Sequence, residues 1–267
     1  NMGVVSLNLP QIGILADGDE EKFFQILHKR LELCKKALLL RVELLKKITS
    51  DVSPIHWQYG AISRLKPGES IEKFMYGGYA TLSLGYIGMY EATLLTKGVS
   101  HTTPEGKRFA HRIMDDLNEH IKKWREETNI GFALYGTPAE SLTHRFCQKD
   151  RSRFGNIKDV TDKGYYTNSY HVDVREPINV FDKFAFESEF EDKSTGGCIS
   201  YAEIPNMTHN VPAILTMIEY IYDHISYGEF NTKLDYCHEC GFDGEIVLNE
   251  NNEWECPRCH TIQIKPN

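Results

Sequence analysis

Two pairs of cysteines carry the plainest chemistry in this sequence. Cys237 and Cys240 are separated by two residues, Cys256 and Cys259 likewise, and fifteen residues lie between the pairs. A two-residue spacer lets both thiolates of a knuckle reach one ion, and Gly241 permits the turn that aims backbone N–H groups at sulfur. Four sulfur ligands complete a tetrahedral shell and leave no position for water. The expected role is therefore structural, with zinc favoured and a single iron compatible with the same ligands. His238 and His260 flank the knuckles and are expected to stay outside the shell. Residues 234–267 hold little apolar bulk beyond Phe242, Ile246, Val247 and Trp254, so this four-cysteine module should depend on its ion to fold.

A second stretch suits an anion. Ile130 to Tyr135 is an apolar run of strand length, Gly136 allows a tight turn, Thr137 can cap a helix and Pro138 fits its first position. Glu140 then falls at the third helical position, so Thr137 and Glu140 approach a capping box. A helix start at the carboxyl end of a parallel strand offers unpaired N–H groups and a positive dipole end, which suits phosphate. An ordinary strand-to-helix turn is the plainer alternative.

The elements that must hold these stretches alternate along the chain. Val4 to Leu9 reads as a strand stopped by Pro10, at a sheet edge or rim. Asp17 to Thr49 reads as a long helix with Phe23, Phe24, Leu27, Leu31, Cys34, Leu38, Val42 and Leu45 inward. Asp51 to Tyr76 reads as a loop. From Tyr79 come a strand, a turn softened by Gly85 and Gly88, and a helix reaching Lys97. Thr103 caps and Pro104 opens a helix to about Glu127, with Phe109, Ile113, Leu117 and Ile121 inward. After the anion turn come a basic loop from Gln148 to Phe154, a strand over Tyr165 to Val174, and a short helix over Asn179 to Phe190 with Phe181, Phe184 and Phe186 on its buried side. A strand to Pro205 and a helix over Val211 to Ile225 follow, the latter with Ile214, Ile218, Ile221 and Ile225 inward. The pattern is that of an α/β protein with a largely parallel sheet.

With 267 residues, 41% of them hydrophobic, the chain can bury a large core and carry a small appendage. A formal charge of −8 argues against a general nucleic-acid surface, although Arg145 to Arg153 could meet a small anion. No apolar run reaches membrane-spanning length, and the opening residues read as a strand and not as a secretory leader. The remaining cysteines, Cys34, Cys147 and Cys198, read as small buried hydrophobes, and the cysteine usage suits a reducing, cytoplasmic compartment.

Taken together, the segments NMGVVSLNLP (1–10), LGYIGMYE (84–91), YGTPAES (135–141), YYTNSYH (165–171), GGCISYAE (196–203) and the cysteine module resemble the anaerobic (class III) ribonucleoside-triphosphate reductases, oxygen-sensitive glycyl radical enzymes of DNA precursor synthesis. The resemblance runs the length of the chain. It implies a ten-stranded α/β barrel, of which residues 1–233 supply the later strands, followed by a zinc ribbon over residues 234–267. It also implies an activity: reduction of ribonucleoside triphosphates to deoxyribonucleoside triphosphates. In that chemistry a glycyl radical, raised by a partner iron–sulfur and S-adenosylmethionine activase, passes to a cysteine in the barrel, and the full-length enzyme is expected to be a homodimer. Thr137, Pro138, Ala139, Glu140 and Ser141 then match the loop that holds the substrate phosphates, and Asn1 stands where an active-site asparagine meets the ribose. Tyr166, Asn168, His171 and Glu203 are expected in or near inward strands, more as satisfied hydrogen-bonding groups than as catalysts. Neither the radical cysteine segment nor the glycyl loop matches anything within the 267 residues. The chain is thus expected to be a portion of such an enzyme, without turnover by itself. The competing reading is a non-catalytic zinc-ribbon protein that binds a nucleotide or a partner.

Overall fold

The computed structural model describes residues 1–136, 139–205, 207, 209–232, 235–251 and 253–262, with Glu140 described by its backbone alone. By contacts the chain divides into two compact units, Asn1–Ile199 and Ser200–Asn267. The module boundary expected at 233/234 lies inside the second unit. The architecture is mixed α/β, with helices between parallel strands.

The chain opens with β1 (Gly3–Asn8), which passes directly into α1 (Leu9–Ala16). Pro10 therefore starts a helix as well as ending a strand: it sits in the first turn, where its missing N–H costs nothing, and the Asn8 side chain accepts from Gln11 N at 3.1 Å. The expected strand ran one residue too far, and this short helix was not anticipated. α2 (Glu20–Leu45) is capped by Asp19 and buries Phe23, Phe24, Leu27, Leu31, Cys34, Leu38 and Val42, with Leu45 partly covered. The region read as a loop contains α3 (Pro54–Trp57) and two single 3₁₀ turns, Ser50–Val52 and Glu72–Met75.

β2 (Thr81–Ile87) runs straight through Gly85, and the turn falls on Gly88 alone, before α4 (Met89–Lys97). α5 (Pro104–Thr128) has the anticipated Thr103 cap and buries Phe109, Ile113, Leu117, Ile121 and Trp124. β3 (Gly131–Tyr135) follows. The three strands form one parallel sheet in the order β1-β2-β3, with Val5 opposite Leu84 and Leu84 opposite Leu134. The glycine-rich segment after residue 195 runs alongside the end of β3: Gly196 N donates to Leu134 O and Gly136 N to Gly197 O at 2.9 Å.

α6 (Glu140–Phe154) includes the residues read as a basic loop, because Gln148, Lys149, Arg151 and Arg153 are good helix formers and Arg151 and Arg153 complement the negative end of the helix. Tyr165 to Val174 is no strand. Its residues are buried almost continuously from Tyr166 to Asp173, Ser169 has φ of +33°, and its backbone bonds go to the starts of helices. α7 (Val180–Glu191) is capped by Asn179 and buries Phe184, Phe186 and Phe190, whereas Phe181 is exposed.

In the second unit β4 (Ser200–Ile204) pairs in parallel with β5 (Gly228–Thr232), connected by α8 (Val211–His224). Within α8 only Met217 is fully buried; Ile218 is exposed and Ile214 and Ile221 half-buried, so the expected inward face is largely uncovered, although Ile225 just beyond it is buried. Four two-residue strands, β6 (Asp235–Tyr236), β7 (Asp243–Gly244), β8 (Val247–Leu248) and β9 (Trp254–Glu255), make two antiparallel pairs around the cysteine knuckles. Among the described residues no helix is long and apolar enough to cross a membrane.

Gly88 is the tightest backbone position at the sheet's carboxyl edge. It has φ of +80°, and a Cβ there would stand 2.2 Å from Pro10 Cγ. Left-handed strain and a clash with a rigid ring add, so Gly88→Ala should destabilise the first unit by about 3 kcal/mol, read as a lower urea midpoint with unchanged slope.

Candidate functional site

The carboxyl ends of β2 and β3 each feed a helix, and one buried segment ties both junctions. Gly88 N donates to Thr167 O at 2.9 Å and Met89 N to Ser169 O at 3.0 Å, so two N–H groups at the start of α4 are satisfied. At the start of α6 the Ala139 N–H donates to Asn168 Oδ1 at 2.9 Å. The Tyr166 hydroxyl donates to Asp150 Oδ2 at 3.0 Å, and the same carboxylate of α6 accepts from Asn8 Nδ2 and Gln11 Nε2, each at 2.6 Å. Tyr166 and Asn168 are thus satisfied hydrogen-bonding groups, as expected. His101 Nε2 lies 3.0 and 3.1 Å from the carbonyl oxygens of Tyr170 and His171, so that nitrogen carries the proton, and burial keeps His101 below the usual imidazole range.

Behind the α4 junction is a buried ion cluster that sequence reasoning missed. Lys163 Nζ is 2.6 Å from Glu91 Oε1 and also bonds Asp173, all three side chains being almost fully enclosed. Thr167 donates to Glu91 Oε1 from its backbone N–H at 2.8 Å and its hydroxyl at 2.9 Å, and Arg175 Nε adds a bond to Asp173 Oδ1 at 2.9 Å. A carboxylate in the first turn of α4 also meets the positive end of the helix. The available signal was Glu91 itself, a lone charge amid an apolar stretch. Farther along, Glu187 lies 3.4 Å from His171 Nδ1 and 2.8 Å from Lys183 Nζ. Burial works against the charge of Asp173, but Arg175 and Lys163 outweigh it and bring its carboxyl down to about 2; His171 and Lys183 do the same for Glu187, also to about 2.

The turn expected to take phosphate lies at the end of β3. Thr137 and Pro138 fall outside the described residues, as does the Glu140 side chain. The helix starts two residues later than anticipated: Glu140 is the first residue of α6, and Ala139, not Thr137, occupies the cap position, where no side chain caps. Its carbonyl accepts from Leu142 N and Thr143 N. Ser141, at the second helical position, is exposed. At this helix start the Ala139 N–H is thus taken by a side chain and those of Leu142 and Thr143 by the Ala139 carbonyl.

Asn1 is held by two hydrogen bonds. Its Nδ2 donates to Ser83 Oγ at 2.7 Å and its Oδ1 accepts from Gly3 N at 2.8 Å, fixing the start of β1 against β2. Ser83 pairs with Ala133, two residues before the Gly85–Tyr135 pair that ends β3. Glu203 on β4 is exposed, and Cys147 is buried against Thr161 O, with its thiol pushed up by burial.

The four cysteines of the second unit do converge. One sulfur from each lies within 4.8 Å of the others, with Cys237 to Cys259 at 3.6 Å and Cys240 to Cys256 at 3.7 Å. A tetrahedron with metal–sulfur bonds of about 2.3 Å has edges of roughly 3.8 Å, so the arrangement fits a four-thiolate metal site, and the separations are far too long for disulfides. The two knuckles repeat one another: Gly241 N donates to Cys237 O and His260 N to Cys256 O, each at 2.9 Å, and Gly241 and His260 share left-handed φ of +67° and +60°. Arg258 N points at Cys256 Sγ at 3.4 Å. Burial opposes a charge on Cys256, but the N–H groups of Cys259 and Arg258 outweigh it and lower the thiol to about 7. Burial and the adjacent thiols push Cys240 up to about 12, since four thiolates cannot share this volume without a cation. His260 turns its ring to Glu255 at 2.6 Å and His238 packs edge-on to Tyr236, so both histidines stay outside the sulfur shell.

Cys256→Ser should remove the bound metal, seen by elemental analysis, and expose residues from about Asp235 onward to protease while Asn1–Ile199 remains resistant. In the first unit, Lys163→Met would leave the buried Glu91 without its cation and Asp173 with Arg175 alone, and should cost about 3–5 kcal/mol. Because Asp173 and Glu187 have depressed values in the folded chain, their contribution is fully present above the ordinary carboxylate range of about 4 and is lost as pH falls through about 2. An acid titration followed by circular dichroism should show unfolding of the first unit in that window, shifted to higher pH by Lys163→Met.

A family model described as anaerobic ribonucleoside-triphosphate reductase matches residues 1–265. The chain is 41% identical over 262 residues to the anaerobic ribonucleoside-triphosphate reductase of Salmonella typhimurium, covering 97% of this chain and 37% of that protein. It is 39% identical over 264 residues to the enzyme of that name from Enterobacteria phage T4, covering 97% and 42%. The fold is similar to the anaerobic ribonucleotide reductase from Thermotoga maritima crystallised with MES in the active site, with a TM-score of 0.73, 24% identity, and coverage of 98% of this chain and 41% of that one. The chain thus spans less than half the length of these relatives. From the match across residues 1–265, it belongs to the anaerobic ribonucleoside-triphosphate reductase family.

Proposed function

We propose that this chain forms the later strands of the α/β barrel and the zinc ribbon of an anaerobic ribonucleoside-triphosphate reductase, and that in the whole enzyme the turn between β3 and α6 holds the substrate's phosphates. The observation that carries the reading is the position of α6. It begins at the carboxyl end of a parallel strand, its outermost N–H is fixed by Asn168, and the backbone that follows points the positive end of a fifteen-residue helix at that edge. Family membership supplies the reaction class, reduction of ribonucleoside triphosphates. The radical chemistry belongs to segments of the whole reductase outside these residues, together with a radical S-adenosylmethionine activase. This chain contributes binding and position. Asn1 serves by anchoring β1 to β2 through Ser83. The exposed Val211, Leu215 and Ile218 on α8 support a place inside a larger barrel, where further strands would cover them.

Zinc is the favoured metal of Cys237, Cys240, Cys256 and Cys259, because a closed four-sulfur shell with no open position suits a structural ion without redox chemistry. When bound, the ion would neutralise the thiolates and hold the two knuckles together.

The reading is tested in the full-length enzyme. Replacing Ala139 by Asp sets a carboxylate at the mouth of the turn, where it repels phosphate. We expect KM for the triphosphate to rise at least about tenfold, with glycyl radical yield and metal content unchanged. Ser141→Ala, which removes only a hydroxyl, should weaken binding by about 0.5–1.5 kcal/mol. An Ala139→Asp enzyme with unaltered KM would remove this turn from the substrate site.

A further inference from the structure

Among the described residues, two clusters bring three or more metal-ligating side chains together, and the second has no part in the proposed function. His28 projects from α2, and Asp116 and His120 from α5. The i, i+4 spacing of Asp116 and His120 puts both on one face of α5. Packing of Phe23 and Phe24 on Phe109, with ring centroids 5.3 and 6.1 Å apart, brings α2 alongside that face. One ligand atom of each residue lies within 4.8 Å of the other two.

The arrangement already has the features of a coordination site. His28 Nε2 is 2.9 Å from Asp116 Oδ1, and the two imidazole rings are 4.9 Å apart. His120 Nδ1 is 2.8 Å from the backbone oxygen of Asp116, so its N–H donates there and Nε2 keeps a lone pair, the tautomer that a backbone carbonyl fixes in metal-bound histidines. Asp116 Oδ2 is buried without a hydrogen bond, its nearest polar neighbour being His120 Nδ1 at 3.6 Å. That oxygen is what a cation would satisfy.

We propose that His28, Asp116 and His120 bind a late first-row divalent cation such as Zn²⁺ or Ni²⁺, bridging α2 and α5. Two neutral imidazoles and one carboxylate match the nitrogen and oxygen preference of these ions and differ in kind from the all-sulfur knuckles. The 2.9 Å His28–Asp116 contact is a hydrogen bond in the metal-free chain; an ion would take the place of the Nε2 proton, which moves to Nδ1 or to water, and the pair would widen to the roughly 3.3 Å edge of a tetrahedral shell with bonds of about 2.0 Å, the third ligand closing by rotation of its side chain. His28 has a half-exposed side chain, which borders an open hollow of about 590 Å³ and gives the site access to solvent. The site would be exchangeable, and its effect is to fasten the long α2 to α5 from outside the core.

The test is a titration of the complete, zinc-loaded chain with Ni²⁺, followed by calorimetry and by tryptophan fluorescence, since the Trp124 ring lies 6.4 Å from that of His120. One equivalent beyond the metal of the cysteine module should bind and quench Trp124. His28→Gln and His120→Gln should each weaken it at least about tenfold, whereas Cys256→Ser, which disables the sulfur site, should leave it intact. His28 is exposed enough that its substitution keeps the fold, which circular dichroism verifies. Absence of a further equivalent in the unaltered chain, or one that survives both histidine substitutions, would overturn the proposal.

Discussion

The first unit depends on how the starts of two helices are satisfied inside a protein interior. A helix presents N–H groups with no partner of its own, and a parallel sheet gathers such ends at one edge. Here the segment from Tyr166 to His171 supplies the partners. Thr167 and Ser169 give carbonyls to α4, and Asn168 gives its amide oxygen to α6. The segment is in turn held by charge. Lys163 neutralises Glu91 and Asp173, and Thr167 bonds both carboxylates, so a cluster that would be expensive if any member were missing becomes a clamp.

The two helix starts are satisfied in different ways. At α4 the N–H groups of Gly88 and Met89 go to carbonyls of a distant segment, whereas at α6 the Ala139 N–H goes to the Asn168 side chain and those of Leu142 and Thr143 to the Ala139 carbonyl. Met89 and Tyr90 are buried, while Ser141 in the first turn of α6 is exposed. In the proposed function this difference is what leaves the start of α6 for an anion.

The second unit follows a different logic. Its ribbon strands are two residues long, far below what hydrogen bonding and burial can hold together, and the core around Cys237, Ile246 and Cys256 is small. The four sulfurs lie within 4.8 Å of one another, the spacing of a four-thiolate shell, so an ion there would supply the cohesion the short strands lack.

Amphipathic period determined the long helices: the buried stripes of α2 and α5 are the ones the spacing of Phe, Leu and Ile dictates, and Thr103 and Asn179 cap where their side chains permit. The metal knuckles were legible for a similar reason, since a Cys-x-x-Cys spacer is a local geometric constraint. What local pattern did not determine was anything that depends on a distant partner. Tyr165 to Val174 has the composition of a strand, yet its hydrogen bonds go to helix starts up to eighty residues away in sequence. Phe181 and Ile218 fit an inward period and lie exposed, because what an apolar face meets is a property of the packing around it. Glu91, Lys163 and Asp173 are ordinary surface residues by type, and His28 stands 88 positions from Asp116. Only the folded chain brings such groups within a few ångströms, where the low dielectric of the interior turns their separate charges into one interaction.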